Sequence, residues 1–407
     1  MSSPLSADFF AGNRARIRQL FTGTAPIVIT AYGRLQQGSD EAYPFSQDSS
    51  FWYLTGIDEP DVVLVMDKDK EYLIVPEKSA VSDVFDGAID EHELMSTSGV
   101  REVMSARDGW KYLGARLKRV RYVATLAAAP AYIDVLGLYT NPARAILMAR
   151  LKQHNAKIKL LDIRTHLARL RMVKQPVELA AIQAAIDVTI DTLKTITRPS
   201  QLSRYANEYE VEADISRGFR RAGAQGHAFA PIVASGQRAC TLHNITNQGA
   251  LASGELLVLD VGAQVNHYAA DITRTVSLGQ PSRRAQAVIA AVREVYDFAT
   301  SLLRPGVLMH DYEKQIENFM GEKLRELGLI KSIEHEAVRH YFPHATSHFL
   351  GIDTHDNGDY ERPLEPGVVM AVEPGIYIPE EAIGVRLEDD FCITADGVQC
   401  LSARLPL

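Results

Sequence analysis

Cysteine is scarce in this chain. Its 407 residues hold three, Cys240, Cys392 and Cys400, with neither a CxxC pair nor the spacing of a disulfide framework, so the fold is not stapled and a reducing cytoplasm is the expected compartment. Long apolar runs are missing as well. The most apolar stretch, around residues 122–139, is interrupted by Pro130 and Asp134 and falls short of the roughly 20 residues a bilayer requires, so no membrane span is expected. Residues 8–21 mix Phe9, Phe10, Ile17, Leu20 and Phe21 with Arg14, Arg16 and Arg18 at helical spacing, which is not the unbroken apolar core of a signal peptide. Dense basic stripes with interleaved aromatics are absent, and a net charge of -8 gives no general attraction for nucleic acid. The motifs GxGxxG, GxxxxGK[ST], HExxH and GxSxG do not occur, which removes the usual nucleotide, zincin and serine-hydrolase readings.

What is present is an ordinary globular composition, 46% hydrophobic and 23% charged, with enough chain for two domains. Residues 1–165 alternate strand and helix patterns. Strands are expected at 27–30, 51–55, 62–67 and 72–75, and a helix at 108–117, which makes a smaller mixed α/β domain. Phe51, Trp52 and Tyr53 read as core, because successive side chains on a strand point to opposite faces. Residues 166–407 follow a helix, helix, hairpin pattern twice. Pro176 marks a helix start, Leu179, Ile182, Ile186, Ile190 and Leu193 hold one face, and a second helix spans 208–221. Helices at 282–303 and 311–327 open the second half.

The chemistry gathers in three stretches. Residues 256–275 read as a β-hairpin turning at Val265 and Asn266, a register that sets Asp260 opposite Asp271. Cross-strand partners lie about 5 Å apart, and like charges so placed are destabilising unless a cation intervenes. A second hairpin, turning at Glu380 and Glu381, sets Glu373 opposite Glu388. Between the hairpins fall His344, His348 and His355. Four carboxylates and one imidazole match two divalent ions of the hard or borderline kind, and two such ions about 3.5 to 4 Å apart are a hydrolytic arrangement.

Asp260 in LDVGA, Asp271 in ADITRT, His348 in HATSHFLGIDTHD, Glu373 in VEPGIY and Glu388 in GVRLEDD resemble the five metal ligands of the pita-bread metallopeptidases, in the branch of aminopeptidase P and prolidase. The run FSQDSSFWYLTG at 45–56 is similar to the creatinase/prolidase-like N-terminal domain of that branch, and RMVKQPVE at 171–178 resembles the opening of its catalytic domain. The resemblance implies an α/β (α+β) fold with a duplicated pita-bread catalytic domain, two Mn(2+) ions with Co(2+) or Zn(2+) as alternatives, and a homodimer. It also implies hydrolysis of the bond between an N-terminal residue and proline in small peptides. Glu373 would then exchange a proton as well as bind metal, His243 or His355 would stabilise the tetrahedral oxygen, and Arg386 and His344 would contact substrate. Arg386 lies two residues before Glu388 and so on the same strand face. That cation, with the short turn at 379–383, favours Xaa-Pro dipeptides, the prolidase reading. The alternatives are aminopeptidase P acting on longer peptides, a methionine aminopeptidase, which would not carry the extra N-terminal domain, and a metal-free pita-bread module that binds peptides or proteins, in which ligands are typically lost.

Overall fold

The computed structural model describes residues 5–21, 23–68, 70–127, 133 and 135–407. Pro130 and Asp134, which entered the case against a membrane span, lie outside them. Among the described residues no helix is long and apolar enough to cross a membrane. The chain divides into two compact units between Leu170 and Arg171, inside the helix Arg164–Met172 and a little beyond the boundary expected after residue 165.

The first unit is built on a six-stranded mixed sheet, in the order Val103–Ser105, Lys70–Val75, Val63–Asp67, Ile27–Thr30, Tyr122–Thr125, Lys159–Asp162. The middle three strands are antiparallel and the outer pairs parallel. Val28, Val65 and Tyr72 pack with Trp110 and Leu113 of the helix Ala106–Leu117 and Leu151 of the helix Ala143–His154. One sequence expectation fails here. Residues 51–55 are not a strand but part of the helix Ser49–Thr55. The Asp48 carboxylate caps its start by accepting from the Ser50 and Phe51 amides, and Gly56 ends it at φ 69. These two end signals outweigh the strand preference of the aromatics. Phe51, Trp52 and Tyr53 are core residues as expected, all buried, but on a helix.

The second unit follows the expected order of elements. Pro176 is the first residue of the helix Pro176–Ile196, whose Glu178 reaches back 2.9 Å to the Gln175 amide and closes the first turn. The helices Glu208–Arg221, Arg283–Leu302 and Met309–Glu326 stand where the pattern put them. Each half then ends in antiparallel strands. The first half pairs Ile232–Ser235, Leu256–Val261 and Ile272–Ser277, and the second pairs Ser347–Phe349, Val369–Val372, Asp389–Thr394 and Gly397–Cys400.

The two hairpins differ in how well their register was foreseen. In the second, Gly375 faces Arg386 and Ile378 faces Ile383, while Val372 faces Asp389, so Glu373 and Glu388 fall opposite each other at the joint between two ladders, as expected. The first is shifted. Both Asn266 and His267 adopt positive φ, 50° and 65°, so they form the two-residue turn and Val265 pairs with Tyr268. Asp260 therefore faces Thr273 rather than Asp271. A slip of two residues preserves the face on which a side chain stands, so both aspartates still project to one side.

Gly262 lies at the closest approach of this hairpin, where a side chain would collide with the carbonyl oxygen of Ala270. Gly262→Ala should therefore cost about 3 kcal/mol of stability. Chemical denaturation of the purified variant checks this, and a midpoint equal to wild type would show that the strands separate freely there.

Candidate metal centre

Two strands, carrying Asp260 and His348, and three strand ends, beside Asp271, Glu373 and Glu388, deliver one cluster of side chains. His348 lies mid-strand, opposite Ala371. Its Nε2 is 3.4 Å from Asp271 Oδ2, 3.5 Å from Glu373 Oε1 and 4.0 Å from Glu388 Oε1. Asp271, His348 and Glu388 each offer one atom, all within 4.8 Å of one another. The other ring nitrogen of His348, Nδ1, lies 3.2 Å from the Phe349 carbonyl. A carbonyl only accepts, so Nδ1 is the donor on that side and Nε2 is the nitrogen turned to the acids.

Electrostatics confirm that these carboxylates are crowded. Burial, and then Asp260, Asp390 and Glu373 nearby, push the Asp271 carboxyl well above the usual range. Burial, with Asp271, Glu373 and Asp260, does the same to Glu388. Glu373 is raised to about 7, chiefly by burial, against the opposing pull of His348 and Arg386. One guanidinium answers the four acids. Arg386 Nη2 donates to Asp260 Oδ2 at 2.6 Å and its Nη1 to the Tyr377 hydroxyl at 2.8 Å.

The remaining candidates surround this core. Tyr377 accepts from Arg386 and lies 2.9 Å from His344 Nε2, while His344 Nδ1 lies 2.9 Å from the Ala345 carbonyl. The donors thus run in one direction, Arg386 to Tyr377 to His344 to Ala345. Burial, and Arg386 beside it, push His344 down to about 3, so it is neutral with both nitrogens engaged. His355 sets its ring 4.3 Å from that of His348; the residue is exposed at its surface edge, but desolvation of the ring, with His348 and His243 nearby, lowers it to about 4. His243 is exposed and enters the cluster through that repulsion of His355. A cleft of about 610 Å³ elsewhere in this unit, beside Asp187, Asp191 and Asp214, includes none of these residues.

Does the donor set fit a metal? Asp260 Oδ1 is buried with no hydrogen-bond partner, an arrangement that costs free energy unless a cation is supplied. Four carboxylates and a neutral imidazole are the ligands that hard and borderline divalent ions take. The residues fit.

Comparison with known proteins agrees. Residues 180–395 match the description Metallopeptidase family M24, and residues 10–124 match Aminopeptidase P, N-terminal domain. The chain belongs to metallopeptidase family M24. It is 31% identical to Xaa-Pro aminopeptidase 3 of Homo sapiens over 93% of this chain and 78% of that protein. It is 30% identical to Xaa-Pro aminopeptidase of Escherichia coli strain K12 over 99% of this chain and 96% of that one. Among solved structures, proline aminopeptidase P II from Yersinia pestis superposes with a TM-score of 0.86 at 28% identity, covering 98% of this chain and 97% of the other. The zinc-substituted E. coli aminopeptidase P in complex with product gives 0.84 at 28%, covering 98% and 96%. The pita-bread architecture expected from the sequence is thereby established for this M24 chain, and it is an enzyme of the metallopeptidase class.

Some site residues of the M24 fold escaped the sequence reading. Thr273 donates to Glu388 Oε2 at 2.6 Å and accepts from Arg386 Nε at 3.3 Å. Asp390 accepts the Asp271 amide at 3.1 Å, and Glu313 accepts the amides of Thr346 and Ser347. Tyr377 could have been found, since it shares a strand face with Glu373 and, in the expected register, with Arg386. Glu313 carried no signal, because its partners are backbone amides remote in sequence.

The raised carboxyls make stability depend on pH and metal together. Glu373 holds its proton more tightly folded than unfolded, so its contribution is fully present below 4.5 and lost as pH rises through about 7. Asp271 and Glu388 act in the same direction. Chelated protein should therefore lose Tm between about pH 5 and pH 7.5, and saturating Mn(2+) should remove that loss. Calorimetry with and without the ion decides it; parallel curves would mean that the cluster does not bind metal.

Proposed function

We propose that this M24 chain is a Xaa-Pro aminopeptidase, which releases the N-terminal residue from peptides with proline in second place. The convergence of Asp260, Asp271, His348, Glu373 and Glu388 on one site carries the reading, and the Xaa-Pro aminopeptidases among its relatives supply the substrate class. Those five side chains would hold two divalent ions, Mn(2+) first, with Co(2+) or Zn(2+) as alternatives. When bound, such ions polarise the scissile carbonyl and lower the pKa of water.

The chain's own groups do the rest. Glu373, held 3.5 Å from His348 Nε2, is the carboxylate placed to exchange a proton as general acid/base. His355, kept neutral, offers a hydrogen bond to the oxygen on which charge develops, and exposed His243 is the second donor on that side. His344 is bound on both nitrogens to Tyr377 and Ala345 and lies 3.6 Å from Glu373 Oε2, at the edge of the site where it would contact substrate.

Arg386 explains the shift away from the dipeptidase reading. That reading needed a cation free to hold the terminal carboxylate of a dipeptide. Arg386 is 4% exposed and donates to Asp260, Tyr377 and Thr273, so its fork is spent inside the protein. The open far end of an aminopeptidase P needs no such cation. A cytoplasmic location, which three free cysteines support, and a homodimer, which rests on the family resemblance alone, complete the proposal.

Two outcomes are expected. Glu373→Gln should lower kcat on a Xaa-Pro-Yaa substrate by roughly 10²- to 10⁴-fold with an unchanged circular dichroism spectrum, and near-normal turnover would remove Glu373 from proton transfer. On a peptide panel, Xaa-Pro-Yaa tripeptides and longer peptides should show higher kcat/KM than Xaa-Pro dipeptides. The reverse order would restore the prolidase reading.

A further inference from the structure

The segment 171–174, which marks the opening of the catalytic half, carries two cations that the metal centre does not use. Both are buried, Arg171 to 1% and Lys174 to 5% exposure. Arg171 Nη2 donates to Asp356 Oδ1 and, at 2.8 Å, to Asp353 Oδ2, and Lys174 Nζ donates to Asp356 Oδ2 at 3.1 Å. Burial alone would raise the Asp356 carboxyl, yet Arg171 and Lys174 bring it below the usual range. A buried ion cluster is a poor stabiliser beside apolar packing of the same volume, and its better attested use is to hold one arrangement.

The arrangement held is the turn that carries His355. The Asp356 amide donates to the Phe349 carbonyl at 2.8 Å, the Gly351 amide to Asp353 at 3.1 Å, and the Ala269 amide to Gly351 at 2.8 Å. A side chain at Gly351 would collide with the Asp356 carboxylate, so the turn closes directly on the ion cluster. Asp356 is turned into the core while its neighbour His355 is exposed, with its ring 4.3 Å from that of His348.

We infer that Arg171, Lys174 and Asp356 are positioning residues, an ion triad reaching back across the sequence to fix His355 beside His348. The kinetic part of the inference rests on the proposed peptidase function; the structural part does not.

The test compares full-length Lys174→Met, His355→Ala and the double variant. Lys174→Met should keep its metal content by elemental analysis and lose up to roughly 10²-fold in kcat on a Xaa-Pro-Yaa peptide, since misplacing a reacting group by about 1 Å costs that much. KM should move little. In the His355→Ala background the same substitution should add no further loss, and Lys174→Arg should restore most of the rate. Crystal structures of the metal-free protein supply a readout independent of activity, in which Lys174→Met should release the His355 ring from contact with His348. Should Lys174→Met not fold, the isosteric Asp356→Asn takes its place. Additive losses in kcat, or a His355 ring unmoved in the variant, would overturn the triad's role. An inactive wild type would instead defeat the peptidase reading, with the ring position still deciding this one.

Discussion

Buried like charge is the constraint from which the catalytic unit's design follows. Asp260, Asp271, Glu373 and Glu388 are brought within mutual reach in a place where burial and like charge raise the carboxyls of Asp271, Glu373 and Glu388. One arginine offsets that like charge, and a second fastens the joint between the hairpins. Arg386 pairs with Asp260. Arg274 pairs with Asp389 at 2.8 Å and also donates to the carbonyls of Thr273 and Glu388. One guanidinium therefore neutralises, while the other ties the two hairpins together beside the acids.

Hydrogen bonds between the hairpins make that tie rigid. The Glu388 amide donates to the Thr273 carbonyl at 3.1 Å, and Thr275 exchanges bonds with the backbone of Arg386. Behind them Tyr296 donates to Asp389 and Tyr312 bonds to Ser347, so the helices Arg283–Leu302 and Met309–Glu326 each hold a strand of the site by a buried hydroxyl. The apolar side chains of the same helices, Val288, Val292, Ile316 and Met320 among them, fill the core that the second-half strands cover. Packing and polar fixing thus come from one pair of helices.

How much of this could be read from residues alone varies with the physical cause. The second hairpin was legible because its short turn at Glu380 and Glu381 sits between two largely apolar runs, so register followed from counting. The first was misread by two residues, because nothing in the sequence announced that His267 as well as Asn266 would take positive φ. The helix at Ser49–Thr55 was hidden by three aromatics whose strand preference is a matter of packing, although Asp48 and Gly56 were in view as end signals. Thr273, Asp390 and Glu313 were illegible for another reason. Ser, Thr and single acids occur everywhere, and only the meeting of two hairpins or of a helix and a strand gives these ones work. Arg386 was rightly directed at the cleft, but its occupation by Asp260 and Tyr377 depended on distances that no spacing rule supplies.

The division of the donors between the two hairpins has a consequence for how the protein is made. Asp260 and Asp271 leave the ribosome well before His348, Glu373 and Glu388 follow. A nascent first half that closed on itself would bury its aspartates with neither Arg386 nor the later donors available to offset them. Its most favourable course is to stay open at that edge until the second hairpin arrives, so the two halves condense together instead of maturing in turn. Duplication of the structural unit has in this way produced a single cooperative object, in which neither copy has a finished interior of its own.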